Sequence, residues 1–145
     1  MRIDELNNFS EWRFVTGPVI AVKRKDNKFL LLKRSKKERF PDLWEFPSGG
    51  LEFLETLEDA AYRELKEEAG LKAKSIKYLG YHERIRKEIK RQIVAHDFLV
   101  TDFKGKVKLS DEHQDYKWVT KKEILKMGKK VGDNTIAVLK KLSVE

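Results

Sequence analysis

The chain has 145 residues, no cysteine, 39% charged residues and a formal net charge of +8. That length suits a single domain, read as residues 1–145, able to bury roughly two-thirds of its unfolded surface. The composition excludes a disulfide framework, thiol chemistry and a bilayer-spanning helix; the polar start lacks a signal-peptide core, so a cytoplasmic protein with no membrane partner is expected.

In chain order, the first dozen residues read as an arm or a short edge element. Trp12–Arg24 holds a β-branched and aromatic run interrupted by Gly17-Pro18, which predicts a strand that bends or breaks there. Asp26-Asn27 makes a turn, and Lys28–Arg34 pairs back as a second strand whose Leu30-Leu31-Leu32 run predicts burial on both faces. Ser35–Asp42 is a basic loop, and Trp44 and Phe46 read as core packing. After a helix over Leu57–Ala69, strands are expected over Ala73–Arg86 and Arg91–Asp102, with a turn near Lys87–Lys90. His96, in an apolar strand, reads as a packed histidine. A short strand passes through Trp118 and Val119, and helices follow over Lys121–Met127 and Asn134–Leu142, the latter turning Ile136, Leu139 and Ala137 inward. Strands on both sides of a helix, with further helices at the end, indicate an α/β domain with a mixed sheet.

The central helix carries the chemistry. Leu57–Ala69 contains no Pro or Gly; Thr56 suits the N-cap, Glu58 and Asp59 the positive end of the dipole, and Gly70 the C-terminal cap. At about 100° per residue, Leu57, Ala61 and Leu65 form an apolar stripe. Glu64 and Glu68 fall on its edge, with Glu67 and Arg63 just beyond. A Glu-rich helix is ordinarily a solvated face, but carboxylates beside a core-facing stripe need a cation, and three of them one turn apart suit a hard divalent metal. Zinc does not fit, with no Cys and three scattered His. Between Glu52 and Glu68 seven acids face two bases, a net of −5 that leaves +13 elsewhere against the total of +8. An acidic island in a basic body suits a metal-bound polyphosphate.

The run from Gly49 to Leu71, GGLEFLETLEDAAYRELKEEAGL, spaces Gly49, Glu55, Arg63, Glu64, Leu65, Glu67, Glu68, Gly70 and Leu71 as G-x5-E-x7-R-E-U-x-E-E-x-G-U, where U is a bulky aliphatic. Seven specified residues at ordinary usage match by chance about once in 10⁸ registers, so this is a specific signal. The chain resembles a Nudix hydrolase from about Trp12 onward, and the resemblance implies that family's α/β/α sandwich around a mixed central sheet. It further implies Mg²⁺ or Mn²⁺ held by Glu64, Glu67 and Glu68 and a backbone carbonyl of Ser48 or Gly49. Glu64 or a neighbouring Glu takes the proton of the attacking water, Arg63 holds the carboxylates, and Glu55 supports Arg63. Glu112, in a run matching the MutT pattern E-x-Q-x-x-x-W, is expected as a further ligand or base. Two departures stand out: Leu54 occupies a position where many members carry Gly, and Gly50 one where MutT-like members place a phosphate-binding Lys. That role is expected to pass to Lys33, Arg34, Arg84 or Arg86.

The signature fixes a reaction type and not a substrate. Positions where dinucleoside polyphosphate hydrolases carry Tyr and ADP-ribose pyrophosphatases carry Pro hold Lys87, Glu88, Ile89 and Arg86 here. The WEFP run, the Glu112–Trp118 pattern and Asp133-Asn134 before a helix lean toward a MutT-like nucleoside triphosphate pyrophosphohydrolase, with Asn134 reading the base or, alternatively, capping the helix. Other nucleoside diphosphate-linked small molecules, an RNA 5′ end approached through the basic clusters, and a non-catalytic nucleotide- or RNA-binding module are the alternatives. Monomer and homodimer are both compatible with the sequence.

Overall fold

The computed structural model describes residues 9–142, so the expectation for the first eight residues of the arm lies outside it. Strands β1 (Arg13–Val22), β6 (Arg91–Val100) and β5 (Lys77–Arg86) form one mixed sheet in the order β1-β6-β5, with β1 parallel to β6 and β5 antiparallel to it. A second sheet, antiparallel, has the order β3-β2-β8, from Trp44–Glu45, Lys28–Arg34 and His113–Thr120. Bridges Lys23↔Phe29 and Val19↔Ser48 stitch β1 to β2 and to the loop after β3. β4 (Lys72–Ala73) pairs with β7 (Phe103–Lys104). The helices are α1 (Leu57–Ala69), α2 (Lys121–Lys126) and α3 (Asp133–Leu139).

Successive strand residues point to opposite faces, and here both faces are apolar. Val19, Ala21, Phe29 and Leu31 pack with Phe46 against Ile124 of α2 and Val138 and Leu139 of α3. Ile20, Val22, Leu30 and Leu32 pack against Ala61, Leu65 and Ala69 of α1. The buried Leu30-Leu31-Leu32 run thus feeds two cores, and helices cover both faces of the strands as the α/β/α expectation requires. Each such Leu or Ile contributes on the order of 2 kcal/mol by leaving water. Among the described residues no helix is long and apolar enough to cross a membrane.

Three local expectations need correction. β1 runs unbroken through Gly17-Pro18, because the edge where Pro18 lacks an N–H is used by the loop after β3. The Pro18 carbonyl accepts from Gly49 N–H (3.2 Å), Thr16 O from Leu51 N–H (2.9 Å), and Pro47 O from Ile20 N–H (2.9 Å). Gly17 permits that approach, since a Cβ there would overlap the Gly49 carbonyl. The strand expected over Ala73–Arg86 is two: the first belongs to the β4/β7 pair, and β5 begins only at Lys77. α3 ends at Leu139 rather than Leu142, and Thr135, Val138 and Leu139 are its buried residues, with Ile136 only partly so.

Candidate active site

The signature loop leaves β3, crosses the edge of β1 and enters α1. Thr56 caps the helix by accepting from Asp59 N–H (3.1 Å), and Gly70 closes it in the left-handed conformation. Leu54 has φ of 68° and is fully exposed. The loop therefore keeps the left-handed turn that glycine would take without strain, and a side chain is tolerated there because it meets only solvent.

α1 projects its carboxylates toward this loop. Glu64 and Glu68, one turn apart, are buried, at 8% and 5% exposure. Glu68 Oε2 accepts from Ser48 N–H at 3.0 Å. The Glu64 carboxylate lies so close to Gly49 that a Cβ there would overlap it; this contact, rather than backbone freedom, is what the signature glycine serves. Arg63 is the organiser. Its Nε donates to Glu55 Oε2 (2.9 Å) and its Nη2 to Glu55 Oε1 (2.6 Å), a forked pair, while Glu52 N–H also donates to Glu55 (2.8 Å). The same guanidinium reaches Glu64 (2.9 Å), Glu67 (3.2 Å) and the Gly50 carbonyl (2.9 Å).

The electrostatics separate these acids. Hydrogen bonds from Arg63, then from the Glu52 N–H, hold Glu55 down to about 2. Burial pushes Glu64 up, with the Arg63 hydrogen bond and charge opposing it. Burial pushes Glu68 well above the usual carboxylate range; the charges of Glu64 and Glu45 raise it further, the Ser48 hydrogen bond opposes, and Glu112 adds to the rise. Glu55 is an anion serving Arg63, whereas Glu68 has no cation of its own among the described residues.

These groups line a cavity of about 520 Å³ together with Arg34, Asp111 and Glu112. The structure thus brings Ser48, Gly49, Arg63, Glu64, Glu67, Glu68 and Glu112 together, with Glu55 behind Arg63. A second cavity of about 510 Å³ shares Arg34 and Ser48 with the first and adds Arg39, Phe40, Arg84, Arg86 and Asn134. Of the expected phosphate binders, Lys33 is the one that lines neither; its ammonium sits 5.8 Å from the centre of the Trp44 ring. Arg34 is held by Glu45 (3.1 Å) and by the Arg39 carbonyl (2.5 Å). Burial, then the neighbouring Arg86, lowers the Arg84 pKa, against the pull of Asp133. Neither Asp133 nor Asn134 caps α3, whose N-cap is Gly132. The Asn134 side chain bonds instead to His82 (2.8 Å) and Arg84 (3.4 Å). Sequence reasoning reaches Arg39 only as part of the basic cluster Lys33–Arg39, and passes over His82 and Asp97, the latter an acid standing in the apolar run of β6.

Among the described residues, no three acids or histidines already stand as a ready cage for a metal. Glu67 is exposed and engaged by Arg63. The donor set nevertheless fits a hard cation: it is all oxygen, two carboxylates are buried, and Glu68 has one backbone hydrogen bond against three neighbouring acids.

Comparison with known proteins agrees with this architecture. The model of the NUDIX domain matches residues 13–139. The chain is 38% identical over 104 residues to an 8-oxo-dGTP diphosphatase of Buchnera aphidicola, covering 72% of this chain and 76% of that protein. It is 35% identical over 108 residues to a CTP pyrophosphohydrolase of Escherichia coli, covering 74% and 77%. The crystal structure of a MutT NUDIX hydrolase from Burkholderia pseudomallei superposes with a TM-score of 0.81 at 24% identity, over 90% of this chain and 99% of that one, which speaks to the fold alone. A family match over nearly the whole described chain, with every fixed position of the signature present in the sequence, makes this protein a member of the Nudix family.

Proposed function

We propose that the chain is a divalent-metal-dependent pyrophosphohydrolase of nucleoside triphosphates that releases a nucleoside monophosphate and pyrophosphate. The observation that carries this reading is the junction of two cavities through Arg34 and Ser48, one walled by carboxylates and the other by Arg39, Arg84 and Arg86 beside Phe40 and Asn134. A polyphosphate held by cations at one end, with a base against an aromatic ring and an amide at the other, suits that division. The relatives named for 8-oxo-dGTP and CTP support a nucleoside triphosphate.

Glu64, Glu67, Glu68 and Glu112, with a carbonyl from Ser48 or Gly49, would hold Mg²⁺ or Mn²⁺. When bound, the ion supplies charge neutralisation on the phosphates and a water of lowered pKa. The residues do the rest. Arg63, locked by Glu55, fixes the positions of Glu64 and Glu67. Glu64 accepts the proton of the attacking water, a task its burial favours by raising its proton affinity. Arg34 and Arg39 steady the phosphate chain between the cavities.

The test is a hydrolysis panel in Mg²⁺ and in Mn²⁺ with products resolved by chromatography, covering ordinary and oxidised nucleoside triphosphates, dinucleoside polyphosphates, ADP-ribose and triphosphorylated RNA. A monophosphate plus pyrophosphate from one triphosphate is the expected outcome. Preferred cleavage of a dinucleotide, ADP-ribose or RNA, or no turnover with either metal, would overturn the substrate reading.

A further inference from the structure

A second buried polar chain runs into the arginine-lined cavity from the face of the mixed sheet that packs against α3. Asp97 of β6 is fully buried, and its Oδ2 accepts from His82 Nδ1 (2.9 Å) and from Lys141 Nζ (2.6 Å). Its Oδ1 is buried with no hydrogen-bond partner among the described residues. His82, on the neighbouring strand β5 with a side chain 12% exposed, presents its other nitrogen to Asn134 Oδ1 at 2.8 Å. Arg84 Nη1 lies 3.4 Å from the same oxygen, and Asn134 itself lines the cavity.

The donor inventory of this chain has two solutions. A carboxylate only accepts, so Asp97 keeps the proton of a neutral His82 on Nδ1. Nε2 is then a bare lone pair, and Asn134 must offer it the NH₂ end, leaving Oδ1 to face the cavity. In the imidazolium, Nε2 donates as well; Asn134 then gives it Oδ1, Arg84 shares that oxygen, and the NH₂ end faces the cavity. A carboxamide satisfies either ring by turning end over end, giving up the Arg84 contact when the ring is neutral. The charged groups facing His82 are Asp97 from β6, Lys141 beyond α3, and Arg84 on its own strand, the last backed by Asp133 at 2.7 Å.

We propose that Asp97, His82 and Asn134 form a proton-set reader of the nucleobase. With His82 charged, Asn134 offers a donor and favours a base edge carrying an acceptor such as a 6-oxo group. With His82 neutral, it offers an acceptor and favours an exocyclic amine. His82 and Asp97 are positioning residues acting through Asn134. The inference deepens the nucleotide reading of the site and rests on it for its enzymatic consequence alone.

The enzymatic test compares kcat/KM for GTP and ATP, which differ at the 6-position, from about pH 5.5 to 8.5 in Mg²⁺. The ratio cancels the ionisation of phosphates and metal-binding carboxylates, which both substrates share. The GTP-to-ATP ratio should fall about tenfold from the acid to the alkaline end of that range, the size of one mispaired hydrogen bond. His82→Gln, which does not titrate, should flatten it. A flat ratio in the native protein, or an unchanged slope in the variant, overturns the proposal. The second measurement needs neither variant nor turnover: long-range ¹H–¹⁵N NMR of the full chain follows His82 protonation and the Asn134 side-chain amide together. If neither nucleotide is hydrolysed, coupled titration of the two residues sustains the switch while the substrate reading falls. Independent behaviour of the Asn134 amide overturns the switch whatever the enzyme hydrolyses.

Discussion

Replacing Glu68 by Gln separates stability from function at a single atom. The amide retains an oxygen to accept from Ser48 N–H and removes a charge buried near Glu64, Glu45 and Glu112. The sign follows from linkage. A carboxyl whose folded pKa is raised binds more protons folded than unfolded, so stability falls as pH rises through the ordinary carboxylate range toward the folded value; below that range there is no penalty. In metal-free protein the Gln variant should therefore match the native chain at low pH and exceed it at neutral pH. The desolvation of one buried charge sets the gain on the order of 1–3 kcal/mol, or about 3–10 °C in Tm for a domain of this size. Adding Mg²⁺ should raise the native Tm and barely move the variant. Turnover should fall on the order of 10³-fold, the loss of several kcal/mol of charge stabilisation. Calorimetry across pH, with and without metal, reads the first two effects and product release the third. A variant less stable than the native chain at neutral pH without metal, or one retaining most activity, would refute the reasoning.

Other perturbations test other joints of the site. Arg63→Lys cannot reproduce the fork onto Glu55 while reaching Glu64 and Glu67, so kcat should drop about 10–100-fold with little change in KM, as steady-state kinetics would show. Gly49→Ala drives a methyl into the Glu64 carboxylate; circular dichroism should report a folded protein and titration calorimetry a Mg²⁺ affinity weakened at least about tenfold. Leu54→Gly relieves a left-handed backbone at a fully exposed side chain and should gain about 0.5–1 kcal/mol in urea unfolding, the relief being partly offset by the freer unfolded chain.

The parts legible in the sequence are those encoded within one helical turn or one strand. Thr56, Gly70 and the apolar stripe fix α1, and that fixes Glu64 and Glu68 at its buried edge before any tertiary contact is known. Leu30-Leu31-Leu32 announced two cores for the same reason, an alternation with no polar face. The errors lie where a distant segment decides. Gly17-Pro18 reads as a break in isolation, yet the loop Pro47–Leu51 supplies the hydrogen bonds that keep β1 straight. Lys33 and Arg34 are adjacent and equally basic; strand alternation sends the first over Trp44 and the second to Glu45 at the seam of the cavities. Nothing local distinguishes them, because the face that matters is set by β8 and β3 pairing on either side. His82 and Asp97 were hidden likewise, being neighbours only through the antiparallel register of β5 and β6. The buried acid in an apolar strand was nonetheless a readable signal, since such a group demands a partner.

The arrangement of charge explains why the two cavities work as one site. A single guanidinium, Arg63, contacts Glu55, Glu64 and Glu67, and Glu55 takes its strongest bonds, so Arg63 orders the acids without neutralising them. The surplus falls on Glu68, which is buried and, among the described residues, engages no cationic side chain. Glu45 then links this surplus to the other cavity: it pins Arg34 and His113 while its charge raises Glu68. A ligand carrying both cations and phosphates relieves the carboxylates on one side and engages Arg34 on the other. Either component alone leaves half of this imbalance in place, so the site should hold metal and polyphosphate together more tightly than the product of their separate affinities. Titration calorimetry of Mg²⁺ with and without a non-hydrolysable triphosphate, after subtracting Mg²⁺ binding by the free triphosphate, reads that coupling. Equal metal affinity in the two titrations would mean that the cavities share a wall and nothing more.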